Sequence, residues 1–160
     1  MASSTFVTML RALHAKVKTG TLEPHERSDY DRCRRQLMSV AFAAQGAAYG
    51  GLPRRGNVRV AMALKVEVVF GDRPPQSATT VDVSNEGFSA LLAFAAGIGA
   101  AARFSIRVAG MDPIAGACRI VGVLKQGGIQ RVSVAVDGLD APSRERLELA
   151  IFDHLIQNLP

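Results

Sequence analysis

The sequence contains no tryptophan, and its aromatic fraction is only 6%. A surface that stacks single-stranded nucleic acid needs such rings in number, so the composition argues against one. Cysteine is equally scarce. Cys33 and Cys118 have neither metal-ligand spacing nor the number for a disulfide framework, and they read as buried thiols in a reducing compartment. The three histidines, His14, His25 and His154, are scattered, and none has a partner at zinc spacing. Asp153 and His154 are adjacent in a helical stretch, so their side chains point apart and form no dyad. No serine or cysteine sits on a strand-to-helix elbow. Residues Gly97 to Ala102 spell G-x-G-x-x-A, but a strand pattern follows at Arg103–Val108 where a dinucleotide fingerprint needs a helix. The common enzyme signatures are therefore missing, and the expectation is a binding protein with no catalytic residue, metal or cofactor.

Membrane signals are also lacking. The uncharged run Gly87–Ala102 is 16 residues long and is broken by Gly97 and Gly99, short and wrong in texture for a span. The first residues, Met1-Ala2-Ser3-Ser4-Thr5, have no basic segment and no long apolar segment of a leader. A cytoplasmic protein without a membrane partner is expected.

What is present is a chain of 160 residues, 48% of them apolar, enough for one domain and an appendage. The formal charge is +5, and it is unevenly spread. Residues 1–80 carry 12 Lys/Arg against 6 Asp/Glu, whereas residues 81–160 carry 7 against 8. A basic N-terminal half suits an anionic partner, although a solvated basic face gives the same excess.

Periodicity divides the chain near residue 50. Phe6, Leu10, Leu13 and Val17 predict a helix over 4–18 that stops at Gly20. Pro24 suits the first turn of a second helix running to about Gln45. Tyr30, Cys33, Leu37, Val40 and Ala44 form its heptad-like seam, which could pair with the first helix as a hairpin or with a second copy as a homodimer. Gly46, Gly50, Gly51 and Pro53 mark a linker. Period-two patterns then dominate, with strands expected at Val58–Phe70, Thr79–Val83, Phe88–Phe94, Arg103–Val108, Ile114–Leu124 and Gly128–Val136. Six short strands without intervening helices predict an antiparallel barrel or sandwich. Asp140 and Pro142 open a last helix, with Leu147, Ile151, Leu155 and Leu159 along one face. The expected domains are a helical extension over 1–50 and a β domain with a closing helix over 51–160.

Two clusters flank the first strand. Arg54-Arg55-Gly56-Asn57-Val58-Arg59 puts three guanidiniums in a loop, and a guanidinium binds phosphate bidentately and stacks on a base. Asp82-Val83-Ser84-Asn85-Glu86-Gly87 adds a carboxylate, a hydroxyl and a glycine that lets a ligand approach. Alone, the first is also a basic linker and the second an ordinary hairpin turn. Together, 27 positions apart from Arg55 to Asp82, they resemble the PilZ domain family, whose signature is RxxxR before the first strand and (D/N)xSxxG downstream.

The resemblance covers about residues 52–158. It implies a mainly β fold, a six-stranded antiparallel β-barrel with a C-terminal helix, here preceded by a helical hairpin. It further implies a receptor for the bacterial second messenger cyclic di-GMP, a ligand and not a cofactor. Arg55 and Arg59 would then hold phosphate and guanine, with Arg54 as an extra contact. Asp82 and Ser84 would read a guanine edge, and Gly87 would shape the turn. Since the arginines adjoin Gly50-Gly51, binding is expected to order the loop, to move the helices and to signal through an unidentified protein partner. An adaptor that works by protein contact without nucleotide, and a small basic nucleic-acid-binding barrel, are the competing readings.

Overall fold

The computed structural model describes residues 4–48, 57–94 and 97–159. The chain divides into two compact units, Met1–Val58 with Phe152–Pro160, and Arg59–Ile151. The linker glycines Gly50 and Gly51, and the arginines Arg54 and Arg55, lie outside the described residues.

The helical unit is built from α1 (Ser4–Thr19), α2 (Pro24–Ala48) and the end of α3 (Ala141–Gln157). Gly20 ends α1 with φ 68°, donating to the Val17 carbonyl while the Thr21 N–H reaches back to Lys16 at 2.9 Å. That pair of bonds satisfies two carbonyls the helix would otherwise leave open. Glu26 in the first turn of α2 accepts from the backbone N–H of Glu23 and pairs with Lys16 of α1, so one carboxylate caps a helix and joins two. The core is Leu10, Leu13, Tyr30, Cys33, Leu37, Phe152 and Ile156. The expected seam of α2 is buried only through Leu37. Val40 is 59% exposed and Ala44 is also exposed, so the apolar stripe outruns the helices that cover it.

A buried polar set crosses this core. His14 is 3% exposed, with Nδ1 3.0 Å from the Tyr30 hydroxyl and Nε2 3.1 Å from Asp153 Oδ1. A carboxylate only accepts, so Nε2 carries the proton and Nδ1 accepts from the tyrosine. Lys18 holds the same carboxylate from the exposed side. Burial pushes the His14 pKa below its usual 6.5, and the Asp153 carboxylate offsets this only in part. Sequence spacing treats His14 as isolated and sets Asp153 beside His154; the fold instead brings Asp153 to His14.

The barrel unit contains β1 (Arg59–Val60), β2 (Lys65–Val69), β3 (Gln76–Ser84), β4 (Gly87–Leu92), β5 (Ala101–Arg107), β6 (Ile114–Gln126) and β7 (Ile129–Gly138). Strands pair antiparallel in the order β3-β2-β5-β6-β7-β4, and β4 returns to β3, which closes a six-stranded ring. The inner face alternates as the pleat requires: Val66 and Val68 lie opposite Ile106 and Phe104, and Phe88 and Ala90 opposite Val134 and Val132. The run expected as one strand over Val58–Phe70 is two, β1 and β2, both on the same edge of β3. Buried Thr80 bridges the interruption: its hydroxyl donates to the Met62 carbonyl and accepts from the Leu64 N–H at 2.8 Å. A side chain thus replaces the missing ladder bonds. The G-x-G-x-x-A string is a turn leading into β5, with no helix following it. At the other end Asp140 caps α3 through the Ser143 N–H at 2.7 Å, and Leu147, Ala150 and Ile151 are buried.

The His14 set yields a pH prediction. A histidine whose folded pKa is lowered contributes fully above its unfolded value, and the contribution is lost as pH falls through the folded value. Thermal unfolding should therefore show a step of destabilisation as the solution is taken below the ordinary value of 6.5. His14→Leu should abolish that step and cost about 1–3 kcal/mol above it, because Tyr30 and Asp153 lose a buried partner. An unchanged acid dependence in the variant would assign the step elsewhere.

Candidate functional site

The site starts from a register slip. Thr80 of β3 pairs with Ala90 of β4, but Asp82 pairs with Ser89, so Val81 is an extra residue in β3. A one-residue bulge reverses which side chains face outward. Thr80 and Val83 are both buried, and Asp82 turns to the outer face beside Ser89.

There Asp82 meets two arginines. Arg59 Nη1 donates to Asp82 Oδ1 at 2.6 Å, and Arg131 Nη2 donates to Oδ2 at 2.8 Å. Each carboxylate oxygen is thus taken by a different guanidinium. Arg131 is itself anchored, with Nε and Nη2 donating to the fully buried Ser89 Oγ at 3.4 and 3.3 Å. The Asp82 side chain is 16% exposed. Burial alone would raise its pKa. The Ser89 and Arg59 hydrogen bonds and the charges of Arg59 and Arg131 outweigh burial, holding the carboxyl below its ordinary range and ionised at neutral pH.

The β3–β4 hairpin turns at Asn85-Glu86, with Ser84 paired to Gly87. Ser84 is 3% exposed, and its hydroxyl donates to the Gly87 carbonyl at 3.1 Å and accepts from the Glu86 N–H at 3.3 Å. It is tied into the turn from which Asp82 projects. Gly87 has no positive φ. Its constraint is spatial: a Cβ there would lie 2.1 Å from the Val134 carbonyl oxygen, so a side chain is incompatible with the β4–β7 pairing. The glycine admits a neighbouring strand.

Of the residues read from the sequence, Arg59 and Asp82 are brought together, Ser84 and Gly87 build the turn beside them, and Arg54 and Arg55 lie outside the described residues. Sequence reasoning missed Ser89 and Arg131. The alternation around Val132 and Val134 marks Arg131 as outward-facing, but only ring closure shows that β7 lies next to β4. A concavity of about 420 Å³ lies elsewhere on the barrel, lined by Lys65, Val66, Glu67, Ser77, Ala78, Thr79, Ser105 and Arg107. It shares no residue with the Asp82 cluster. Lys65 opposite Arg107 and Glu67 opposite Ser105 make it the mixed-charge face of an exposed sheet, without converging groups. Among the described residues no three His, Cys, Asp or Glu side chains are placed to hold a metal ion.

A model of the PilZ domain matches residues 53–153, well over half of the chain, and the chain belongs to that family. No curated protein matches. Among solved structures, the inhibitor of motility MotI/DgrA of Bacillus subtilis is 15% identical with a TM-score of 0.60, over 68% of this chain and 54% of that one. The PilZ domain of YcgR from Escherichia coli, solved with c-di-GMP, is 15% identical with a TM-score of 0.54, over 65% of this chain and 92% of that one. YcgR of Escherichia coli in complex with c-di-GMP is 16% identical with a TM-score of 0.56, over 64% of this chain and 46% of that one. The chain thus spans about half the length of MotI/DgrA and of YcgR, and at these identities the likeness is one of fold.

Gly87→Ala should lower stability by about 3 kcal/mol, because the carbonyl it meets is backbone and cannot rotate away. Chemical denaturation of the purified variant measures this, and a change below about 0.5 kcal/mol would mean that β4 and β7 move apart freely.

Proposed function

We propose that this PilZ-domain chain is a receptor for cyclic di-GMP, acting by binding without a chemical step. The observation that carries the reading is the pairing of Arg59 with Asp82 at 2.6 Å, which joins the two sequence clusters on one outer face of the barrel. The ligand offers phosphodiesters for guanidiniums and guanine edges with N–H donors for a carboxylate. Arg59 takes phosphate, and Asp82 accepts from guanine. Arg131 is the second cation beside Asp82, and Arg54 and Arg55 complete the phosphate grip. Ser84 contributes by fixing the turn that presents Asp82, and Gly87 by letting β4 lie against β7. The structures of YcgR with c-di-GMP support this ligand class on a related fold. Charge-assisted hydrogen bonds contribute about 1.5–3 kcal/mol each, so three arginine contacts and a guanine edge reach the roughly 8 kcal/mol of micromolar binding.

Signalling in this reading is a ligand-dependent change at the arginine segment that a protein partner recognises. A ligand shifts such an equilibrium only by its different affinities for the two states. Slower hydrogen exchange across residues 46–60 on ligand addition is the expected signature.

Calorimetry tests the receptor reading. Cyclic di-GMP should give saturable heat at micromolar concentration, and Arg59→Ala and Arg131→Ala should each weaken binding by about tenfold or more. No heat at tens of micromolar ligand sinks the receptor. Binding that neither substitution weakens sinks the site.

A further inference from the structure

We propose that Asp82 is a built-in counter-anion, clamped between Arg59 and Arg131, that makes the site refuse simple phosphates and admit only a ligand carrying both an anion and a hydrogen-bond donor edge. The inference rests on the Asp82 cluster being the ligand site and adds what sets its selectivity.

Recognition at this cluster is an exchange of partners. In the free protein both carboxylate oxygens are occupied, Oδ1 by Arg59 at 2.6 Å and Oδ2 by Arg131 at 2.8 Å. A bare phosphate must draw at least one guanidinium away from Asp82. It then sits beside a carboxylate of like charge that is 16% exposed and left short of donors. Its gain is offset by that loss. Ser89 cannot make up the difference, because its hydroxyl has a single O–H to donate and that donor already serves Asp82 in the clamped state. A ligand with a phosphodiester and a guanine-like edge avoids the penalty: the released guanidinium receives phosphate oxygens, and the released carboxylate receives N–H donors. Discrimination therefore comes from the cost of leaving a buried charge unpaired, not from extra contacts to the correct ligand.

Arg131 has a distinct part in this. It reaches Asp82 from β7, two strands from β3, and Ser89 fixes its guanidinium plane. It is the positioning residue that keeps the second carboxylate oxygen occupied when Arg59 turns to phosphate.

The probe is inorganic pyrophosphate, titrated at ionic strength held constant with sodium chloride, and read on the side-chain Nε–H signals of Arg59 and Arg131 in isotope-labelled protein. The wild-type chain should show no saturable shift. Asp82→Asn keeps the side-chain shape and drops the charge, and it should bind pyrophosphate at least about tenfold more tightly, the worth of one released charge-assisted bond. If that variant fails to fold, Asp82→Thr, which suits a strand, replaces it. A purely structural role for Asp82 would not produce a gain of anion binding. Pyrophosphate binding equally to wild type and variant, or to neither, overturns the counter-anion. A parallel cyclic di-GMP titration of the wild type keeps the two ideas apart: its failure sinks the receptor reading, while the pyrophosphate comparison still reports on Asp82.

Discussion

Six strands close on themselves only when each finds two neighbours, and here closure depends on how β3 meets β4. The two pair over Thr80–Ser84 and Gly87–Ala90 with one extra residue, Val81, in β3. That bulge has two consequences at once. It increases the local twist, as closing a small barrel requires, and it turns Asp82 from the interior to the outer face. Without it the pleat would aim Asp82 into an apolar core containing Phe88, Phe104 and Val134, where an unpaired carboxylate could not remain ionised. The strand that closes the barrel thus exposes the charge the site is built on.

The electrostatics follow from that position. A half-buried carboxylate loses hydration, and the loss is recovered only if each oxygen finds a donor. Arg59 arrives from β1, held by the pairing of Arg59 with Ser84. Arg131 arrives from β7, where it pairs with Leu91 on the strand next to Asp82. Ser89 lies between them with no exposure, and its hydroxyl sets the plane of Arg131. The result is a set of mutually dependent partners, in which removal of any one takes a hydrogen-bond partner from another. Such sets are expensive to break one member at a time, and pairwise energies from single substitutions will not add.

Most of the fold is legible in the residues. The spacing of Leu10, Leu13 and Val17, the Gly20 stop and the Asp140 cap all have local causes, and each appears where those causes put it. Three features were not legible, for reasons of range. The long run Val58–Phe70 alternates without a break, yet it is interrupted, and Thr80, far along the chain, bridges the gap with hydroxyl bonds to Met62 and Leu64. The seam of α2 is periodic through Ala44, but periodicity does not say how far the covering helices extend, and Val40 is left exposed. Arg131 belongs to no local motif and enters the site only because β7 and β4 are neighbours in a closed ring. The two recognisable motifs were visible because the chemistry of each is packed into a few consecutive residues. Ser84 and Gly87 show what a motif leaves out: their types were readable, but that one ties the turn and the other admits a strand needed coordinates.

The described site residues come from β1, β3, β4 and β7, so no one hairpin contains the cluster. The carboxylate and its two cations converge only after the β3–β4 and β4–β7 pairings are both made. An unfolded or partly folded chain therefore has no site, and any ligand of the cluster binds the closed barrel alone. By mass action such a ligand stabilises the ring in proportion to the logarithm of its concentration. The stabilisation bears on the pairings that hold Gly87 against Val134 and Asp82 against Ser89. For such a ligand, barrel closure and recognition would be one equilibrium seen from two sides, coupled through a bulge of a single residue.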